Sequence, residues 1–339
     1  MKKILEKLTN NYILTEEEAK STLIELANGA YNESQMAAFM TVYLMRSIRT
    51  HELAGFKAAM LELCKPIDLT GYDAMDMCGT GGDGKDTFNI STTSCFVVAG
   101  AGQQVAKHGN NGVSSMCGSS NLLVHLGYEF KSEEAELRRS LDESGLCFLH
   151  APLFHPAMKN VAPVRRDLSL KTFFNMLGPQ VNPSRPKKQL IGVYNLELAR
   201  LYQYLHQSEQ RECAIVHSLD GYDEISLTGA FKVITNQTET VYFPEDLGLG
   251  SVTQQAINGG DSIEESAQIF LKVLKGEATE AQQNVVLANA GLALMIGKGL
   301  SDIKDGVSMA RESVESGAAY RAFKKFLNPT KTQISIAQQ

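Results

Sequence analysis

Gly79-Thr80-Gly81-Gly82-Asp83-Gly84-Lys85-Asp86 is the stretch on which the reading of the chain turns. A short strand-like run, Tyr72–Cys78, leads into it, and four glycines within six positions then end that run. Glycine adopts left-handed backbone without penalty, and a loop of this kind can aim several N–H groups at one anion. The spacing fits the G-x-G-x-x-G of dinucleotide-binding folds. That fold wants an acid about 20 residues further on to hold the ribose. No Asp or Glu occurs between Asp86 and Glu129. The spacing also approaches the triphosphate P-loop, G-x-x-x-x-G-K-[ST], but Asp86 stands where the metal-holding hydroxyl belongs. Each familiar nucleotide motif is therefore broken at a stated position.

The missing acids are informative in themselves. Residues 87–128 carry nine aliphatic hydroxyls (Thr87, Ser91, Thr92, Thr93, Ser94, Ser114, Ser115, Ser119, Ser120) together with Lys107, His108 and six glycines. Backbone N–H groups, hydroxyls and a lysine suit a polyanion, which carboxylates would repel. The competing reading is a plain Ser/Gly-rich surface loop.

Acids reappear together downstream. Ala214–Ser218 reads as a buried strand and runs into Leu219-Asp220-Gly221-Tyr222-Asp223-Glu224. The carboxyl end of a strand is where α/β sheets bind ligands. Mg²⁺ takes one or two carboxylates plus substrate phosphate oxygens. Asp-Gly also favours a simple solvated turn, so both readings stand. Arg165 and Arg166 precede Phe174-Asn175-Met176-Leu177-Gly178-Pro179. A guanidinium can hold a carboxylate bidentately, or it can pair with Asp167 at the surface. His108 beside Gly109 reads as a positioning group rather than a base.

Around these motifs the pattern changes once. The first 66 residues read as helices: Thr15 and Glu18 form a capping-box pair, Asn32–Met45 starts on a capping residue, and Thr50–Leu63 ends before Lys65-Pro66. Beyond that point strand-like runs (Cys147–Ala151, Gln189–Tyr194, Ala214–Ser218) alternate with helical ones (Leu196–Gln207, Ser262–Lys275, Ala278–Gly297). The expectation is an α/β protein: a small all-helical N-terminal domain over 1–66, joined by part of 160–185, and a larger α/β domain over 70–327 with a mainly parallel central sheet. A polar tail follows over 328–339.

A chain of 339 residues can bury such a core unaided. Its net charge of −6 argues against nucleic-acid binding, and no apolar run approaches the roughly 20 residues of a membrane span. The charged start, Met1–Lys7, is unlike a signal peptide, and the six cysteines form no C-x-x-C pair. A cytoplasmic protein with reduced thiols is expected.

The motifs in this order resemble the anthranilate phosphoribosyltransferases of tryptophan biosynthesis. The carrying residues are Gly79-Thr80-Gly81-Gly82-Asp83, Asn89-Ile90-Ser91-Thr92, Lys107-His108-Gly109-Asn110, Val113-Ser114-Ser115 with Gly118-Ser119-Ser120, Arg165, Phe174–Pro179 and Asp223-Glu224. The resemblance runs to about residue 325 and implies a homodimer with its site between the domains. It also implies two Mg²⁺ per monomer. By matching position, Gly79, Gly82, Asp83, Thr87, Asn89, Ile90, Ser91, Thr92, Lys107, His108, Gly109, Asn110, Ser114, Ser115 and Ser119 would bind 5-phosphoribosyl 1-pyrophosphate. Gly79, Asn110 and Arg165 would face anthranilate. Ser91 with Glu224 would hold one Mg²⁺, and Asp223 with Glu224 the other. The implied reaction transfers the phosphoribosyl group to the anthranilate amine and releases pyrophosphate.

The chain departs from the commonest family pattern in two places. It has Asn110-Asn111-Gly112 where many members read Asn-Arg-Ser, and Met116 where a lysine is usual. The lost cations should weaken diphosphate binding unless Lys85 or Lys107 compensates. The rivals are a pyrimidine nucleoside phosphorylase, which shares the Lys-His-Gly stretch but has no need of the acid pair, and a nucleic-acid-binding relative, which the net charge disfavours.

Overall fold

The computed structural model describes residues 1–112, 117–207, 209 and 211–328. Four helices open the chain: α1 (Lys2–Thr9), α2 (Glu16–Ala27), α3 (Glu33–Met45) and α4 (Thr50–Leu63). Glu18 N–H donates to Thr15 Oγ1 at 3.2 Å, and the Glu18 carboxylate accepts from Thr15 N–H at 2.8 Å. That reciprocal box satisfies two donors the helix end leaves open. Asn32 and Gln35 do the same for α3. Glu52 in α4 is fully buried and accepts from Leu14 N–H, Arg49 N–H, the Tyr43 hydroxyl and the Arg46 guanidinium. Burial works to raise its pKa, but Arg46 and the two backbone donors outweigh it and hold the carboxylate below its ordinary value.

The remainder alternates strand and helix. It runs β1 (Met75–Gly79), α5 (Ile90–Gly100), β2 (Val105–Gly109), α6 (Ser119–His125), α7 (Glu134–Ser144), β3 (Leu146–His150), α8 (Ala151–Phe154), α9 (Ala162–Leu168), α10 (Phe174–Leu177), β4 (Lys188–Gly192) and α11 (Leu196–Gln207). Then come β5 (Glu212–Ser218), β6 (Phe231–Thr235), β7 (Glu239–Tyr242), α12 (Ile263–Lys275), α13 (Glu280–Lys298), α14 (Ile303–Glu315) and α15 (Ala318–Leu327). Of the expected tail, residues 329–339 lie outside the described residues. No single helix among the described residues is long and apolar enough to cross a membrane.

One seven-stranded sheet has the order β3-β2-β1-β4-β5-β6-β7. Strands β1 to β5 are parallel, and β6 and β7 add an antiparallel edge that the sequence reading does not place. Side chains alternate faces along each strand, and here both faces are buried. Leu190, Ala214 and Val216 join the core of α5 and α12 to α15. Their neighbours Ile191, Cys213 and Ile215 join a second core on the opposite face, with Phe39, Phe56, Val161, Phe173 and Tyr202. Residues of the 160–185 segment thus share one apolar cluster with the N-terminal helices.

Candidate functional site

The strand order reverses between β1 and β4. In open parallel sheets ligands bind at the carboxyl ends of the strands beside such a switch point. Gly79 and Gly192 end β1 and β4 as register partners. Neither has room for a side chain, because the Asp223 corner sits directly over both: a Cβ on Gly79 would lie 3.0 Å from Asp223 Cγ, and one on Gly192 would collide with the Asp223 carbonyl. The acid corner reaches this spot because β5 lies next to β4 and its exit turns back across the sheet end. Ser218 Oγ donates to Glu224 O at 2.6 Å. Asn289 on α13 clamps the next residue, accepting from Ile225 N–H at 3.0 Å and donating to Ile225 O at 2.8 Å.

The glycine loop leaves β1 through Gly81, Gly82 and Gly84, all with positive φ, and through Asp86 at φ +48°. Its far end is tied down where Phe88 N–H donates to Ile257 O at 3.2 Å and Gly259 N–H to Asp86 O at 2.9 Å. Helix α5 follows, with its first-turn N–H groups at the cavity, the usual place for an anion.

Lys107 rises from β2 and is almost wholly buried. Its Nζ donates to Met77 O at 2.6 Å and to Ser91 Oγ at 3.4 Å. Burial alone would lower its pKa, but surrounding acidic groups, Asp76 and Glu224 among them, outweigh that and keep it raised. Asp76 is fully buried and accepts from His108 N–H at 3.1 Å and Gln189 Nε2 at 3.3 Å. Sequence reasoning missed Asp76. Its signal was a lone acid among apolar residues in a strand-like run.

Asp223 is buried, Glu224 is partly so, and Asp83 faces both. Burial first, and then repulsion from Asp83, raise the pKa of Asp223; burial first, and then repulsion from Asp223 and Asp83, raise that of Glu224. Three crowded carboxylates call for a cation. Among the described residues no three His, Cys, Asp or Glu side chains form a closed metal cage. Two carboxylates and the Ser91 hydroxyl opening onto a cavity are hard oxygen donors of the kind Mg²⁺ uses when substrate phosphates complete its shell.

The opposite wall comes from α9, α10 and the turn after α10. Arg165 is largely enclosed, stands 5.1 Å from the Phe174 ring centre, and has no carboxylate partner among the described residues. Burial lowers its pKa. Arg166 is exposed and pairs with Asp167 at 3.6 Å, so the two arginines divide between the cavity and the surface. His108 Nδ1 meets Gly178 O at 3.2 Å, and His155 Nε2 meets Val181 O at 3.0 Å. The rings lie 5.2 Å apart. Burial pushes the two imidazoles down to about 3 and about 4, so both stay neutral at pH 7.

These walls enclose one cavity of about 590 Å³. Gly79, Gly82, Asp83, Thr87, Asn89, Ser91, Thr92, Lys107, His108, Gly109, Asn110, Ser119, Arg165, Asp223 and Glu224 all line it. Ile90 does not line it: the side chain is fully buried in the larger core, because the first turn of α5 that presents Ser91 to the cavity points Ile90 inward. Ser114 and Ser115, with Met116, lie outside the described residues. The sequence reading did not anticipate His155 or Lys171. Lys171 donates to Gly82 O, across the cleft from its own segment.

Comparison with known proteins agrees with this geometry. Residues 2–64 match the glycosyl transferase family helical bundle domain, and residues 71–320 match the glycosyl transferase family a/b domain. The chain is 57% identical to an anthranilate phosphoribosyltransferase of Flavobacterium psychrophilum, over 96% of this chain and 98% of that one. It is 56% identical to the enzyme of that name from Cytophaga hutchinsonii, over 96% and 99%. Among solved structures, anthranilate phosphoribosyltransferase from Thermus thermophilus superposes with a TM-score of 0.89 at 33% identity, covering 95% of this chain and 98% of that one. The Saccharomyces cerevisiae enzyme in complex with PRPP and Mg gives 0.88 at 27% identity, covering 95% of each chain. With both of its domains matched and its length covered almost end to end, the chain belongs to the anthranilate phosphoribosyltransferase family.

Proposed function

We propose that this cavity transfers the phosphoribosyl group of 5-phosphoribosyl 1-pyrophosphate to the amino group of anthranilate, giving N-(5-phosphoribosyl)anthranilate and pyrophosphate. The observation that carries the reading is the meeting, in one cavity, of the glycine loop (79–86) and the acid-free cradle after it (87–92, 107–110, 119) with the Asp223–Glu224 corner and an Arg165 that has no carboxylate partner among the described residues. The cradle suits a diphosphate, the corner suits a divalent cation, and the arginine suits a small carboxylate.

The anthranilate amine is neutral at pH 7 and carries a free lone pair, so it attacks ribose C1 without a strong base and sheds one proton once the C–N bond has formed and pyrophosphate has left. Arg165 binds the carboxylate and, with Asn110 and Gly79, aims the amine in line, an orientation effect. As the ribose–diphosphate bond breaks, negative charge grows on the leaving group. Lys107 stands at the cavity to receive it, as do the N–H groups of the glycine loop and α5 once those of Gly81 and Ser91 are released from Asp223 and Glu224. Thr87, Asn89, Thr92 and Ser119 add polar contacts around the sugar phosphate. Ser91, Asp223 and Glu224 would hold two Mg²⁺ per chain, which supply charge neutralisation to the diphosphate when bound. His108 and His155 are neutral and present no extra charge to the aromatic substrate.

We also propose that the protein works in the cytoplasm as a homodimer. Its six cysteines are unbridged, as a reducing compartment keeps them. Tyr12, Ile13, Leu44 and Met45 are exposed apolar residues. They flank Leu14 and Arg46, which both bond Glu52, so the two exposed pairs leave neighbouring points of the helical block and suit contact with a second copy. One assay tests the activity. Protein, Mg²⁺, 5-phosphoribosyl 1-pyrophosphate and anthranilate are mixed, and anthranilate fluorescence is followed. A loss that needs all four components is expected; no loss over background would refute the reading.

A further inference from the structure

Arg165 lines the cavity with no carboxylate beside it among the described residues, so something else must fix its long side chain. An aromatic ring does so. The guanidinium carbon lies over the Phe174 ring, 5.1 Å from its centre. Phe174 in turn stacks on Phe173, with centres 4.4 Å and planes 26° apart. Phe173 stacks on Phe56 of α4 at 4.5 Å and 23°. The guanidinium and these rings form one column, which starts in the core of the helical block and ends at the cavity. We propose that Phe174 is a positioning residue for the acceptor substrate: its ring face holds the Arg165 guanidinium in place for the anthranilate carboxylate. This rests on the reading that Arg165 binds that carboxylate.

The ring itself is well fixed. Phe39 and Tyr43 of α3 meet Phe173 edge-on, at 5.9 and 5.3 Å between centres, so the column is braced from the side. The entry to α10 is tied as well: Thr172 N–H donates to Asn175 Oδ1 at 3.1 Å, and Asn175 N–H to Thr172 O at 2.9 Å. The face of an aromatic ring is electron-rich and attracts a cation, more strongly where water is excluded. Guanidinium is planar and stacks on such faces. A ring also takes no N–H from it in that geometry, so the donor fork stays open for a substrate. A carboxylate in the same place would occupy the fork and repel the incoming anion, as Asp167 does for Arg166 at the surface. Ordering the arginine before the substrate arrives removes that cost from binding.

The test is a KM comparison, which does not depend on how much of a variant is folded. Phe174→Leu should raise the KM for anthranilate about tenfold, the scale of one cation–ring contact out of water, and leave that for 5-phosphoribosyl 1-pyrophosphate within about twofold. In an Arg165→Ala background the same change should add less than about twofold, because the group it positions is gone. A trifluorinated phenylalanine at position 174 keeps the ring's shape but drains its face of negative charge. It should raise the anthranilate KM at least about threefold, which a role in packing alone would not do. An unmoved anthranilate KM in Phe174→Leu, a tenfold effect that persists without Arg165, or a fluorinated ring that behaves as the normal one would each overturn the proposal for Phe174 alone. An Arg165→Ala protein with an unmoved anthranilate KM would overturn the reading of Arg165 and this proposal with it.

Discussion

Replacing Gly79 by Ala adds one methyl group at the point where the glycine loop and the acid corner touch. Gly79 has ordinary strand backbone, so alanine brings no torsional strain, and any effect must come from contact. The new Cβ would lie 3.0 Å from Asp223 Cγ and 3.3 Å from its carbonyl oxygen, and nearer still to Oδ2. Carbon pairs settle at about 3.5–4.0 Å, so the carboxylate must retreat by roughly 0.5–1 Å. That retreat breaks its 2.6 Å bond from Gly81 N–H and displaces the proposed metal ligand. A misplacement of about 1 Å can cost about 10²-fold in rate, or about 2.7 kcal/mol of barrier. The expected result is a kcat about 10²-fold lower in the anthranilate fluorescence assay, with the Mg²⁺ midpoint raised. Gly81→Ala is the contrast. Nothing lies within 4 Å of its added Cβ, but φ is +64°, so it should cost about 1–2 kcal/mol of folding stability and leave the Mg²⁺ midpoint in place. A Gly79→Ala enzyme with kcat within twofold of normal and an unmoved Mg²⁺ midpoint would refute the claim that this close approach sets Asp223.

Arg165→Ala should raise the KM for anthranilate by roughly 30-fold, about 2 kcal/mol for a lost bond to a charged partner, and leave the KM for 5-phosphoribosyl 1-pyrophosphate unchanged; an unmoved anthranilate KM would reject its role. Asp223→Asn and Glu224→Gln should each lower kcat and shift the Mg²⁺ titration to higher concentration, whereas titrations that overlay the unmodified enzyme would mean the metal is held elsewhere. His108 and His155 titrate at about 3 and about 4 in the fold, against about 6.5 in an unfolded chain. Between those values the unfolded state binds more protons, so stability falls as pH drops below about 6.5, by about 1.4 kcal/mol per pH unit per histidine. Urea unfolding at pH 7 and pH 5.5 measures the slope, and His155→Gln should reduce it by one histidine's share; an unchanged slope would show that His155 does not stay neutral in the fold.

Much of the site was legible because its chemistry is local in sequence. The glycine loop, the acid-free stretch after it and the acids after a buried strand are all composition signals, and the structure lines one cavity with all three. What could not be read was orientation. Ile90 and Ser91 are neighbours with opposite fates, and only the helical phase of α5 sends Ser91 to the cavity and Ile90 to the core. Asp76 escaped notice because a single acid in a strand names no partner until the sheet sets it beside β2 and β4. Lys171 and His155 sit on short helical turns and loops whose residues carry no periodicity, and their contacts, Gly82 and Val181, lie 89 and 26 residues away. The antiparallel edge was missed for a similar reason: β6 and β7 are short, and β7 alternates exposed with half-buried residues.

The parallel sheet explains why residues as distant as 79, 107 and 223 can form one site. In a parallel sheet every strand ends on the same side, so each β-to-helix loop opens toward the same rim. The reversal between β1 and β4 spreads the helices at that rim and leaves a gap. Two glycines, Gly79 and Gly192, keep the gap free of side chains, and the gap admits the chain segment that carries the acids. The helical block and the 160–185 segment then close the open side, because their apolar faces share a core with the opposite face of the same sheet. The proposed anion cradle, cation corner and carboxylate-binding arginine therefore come from three separate parts of the chain, yet their spacing depends on one rigid sheet. A substitution that loosens the sheet should impair all three functions together, whereas one at the rim should impair a single function. That difference would separate structural from chemical effects in a mutant series.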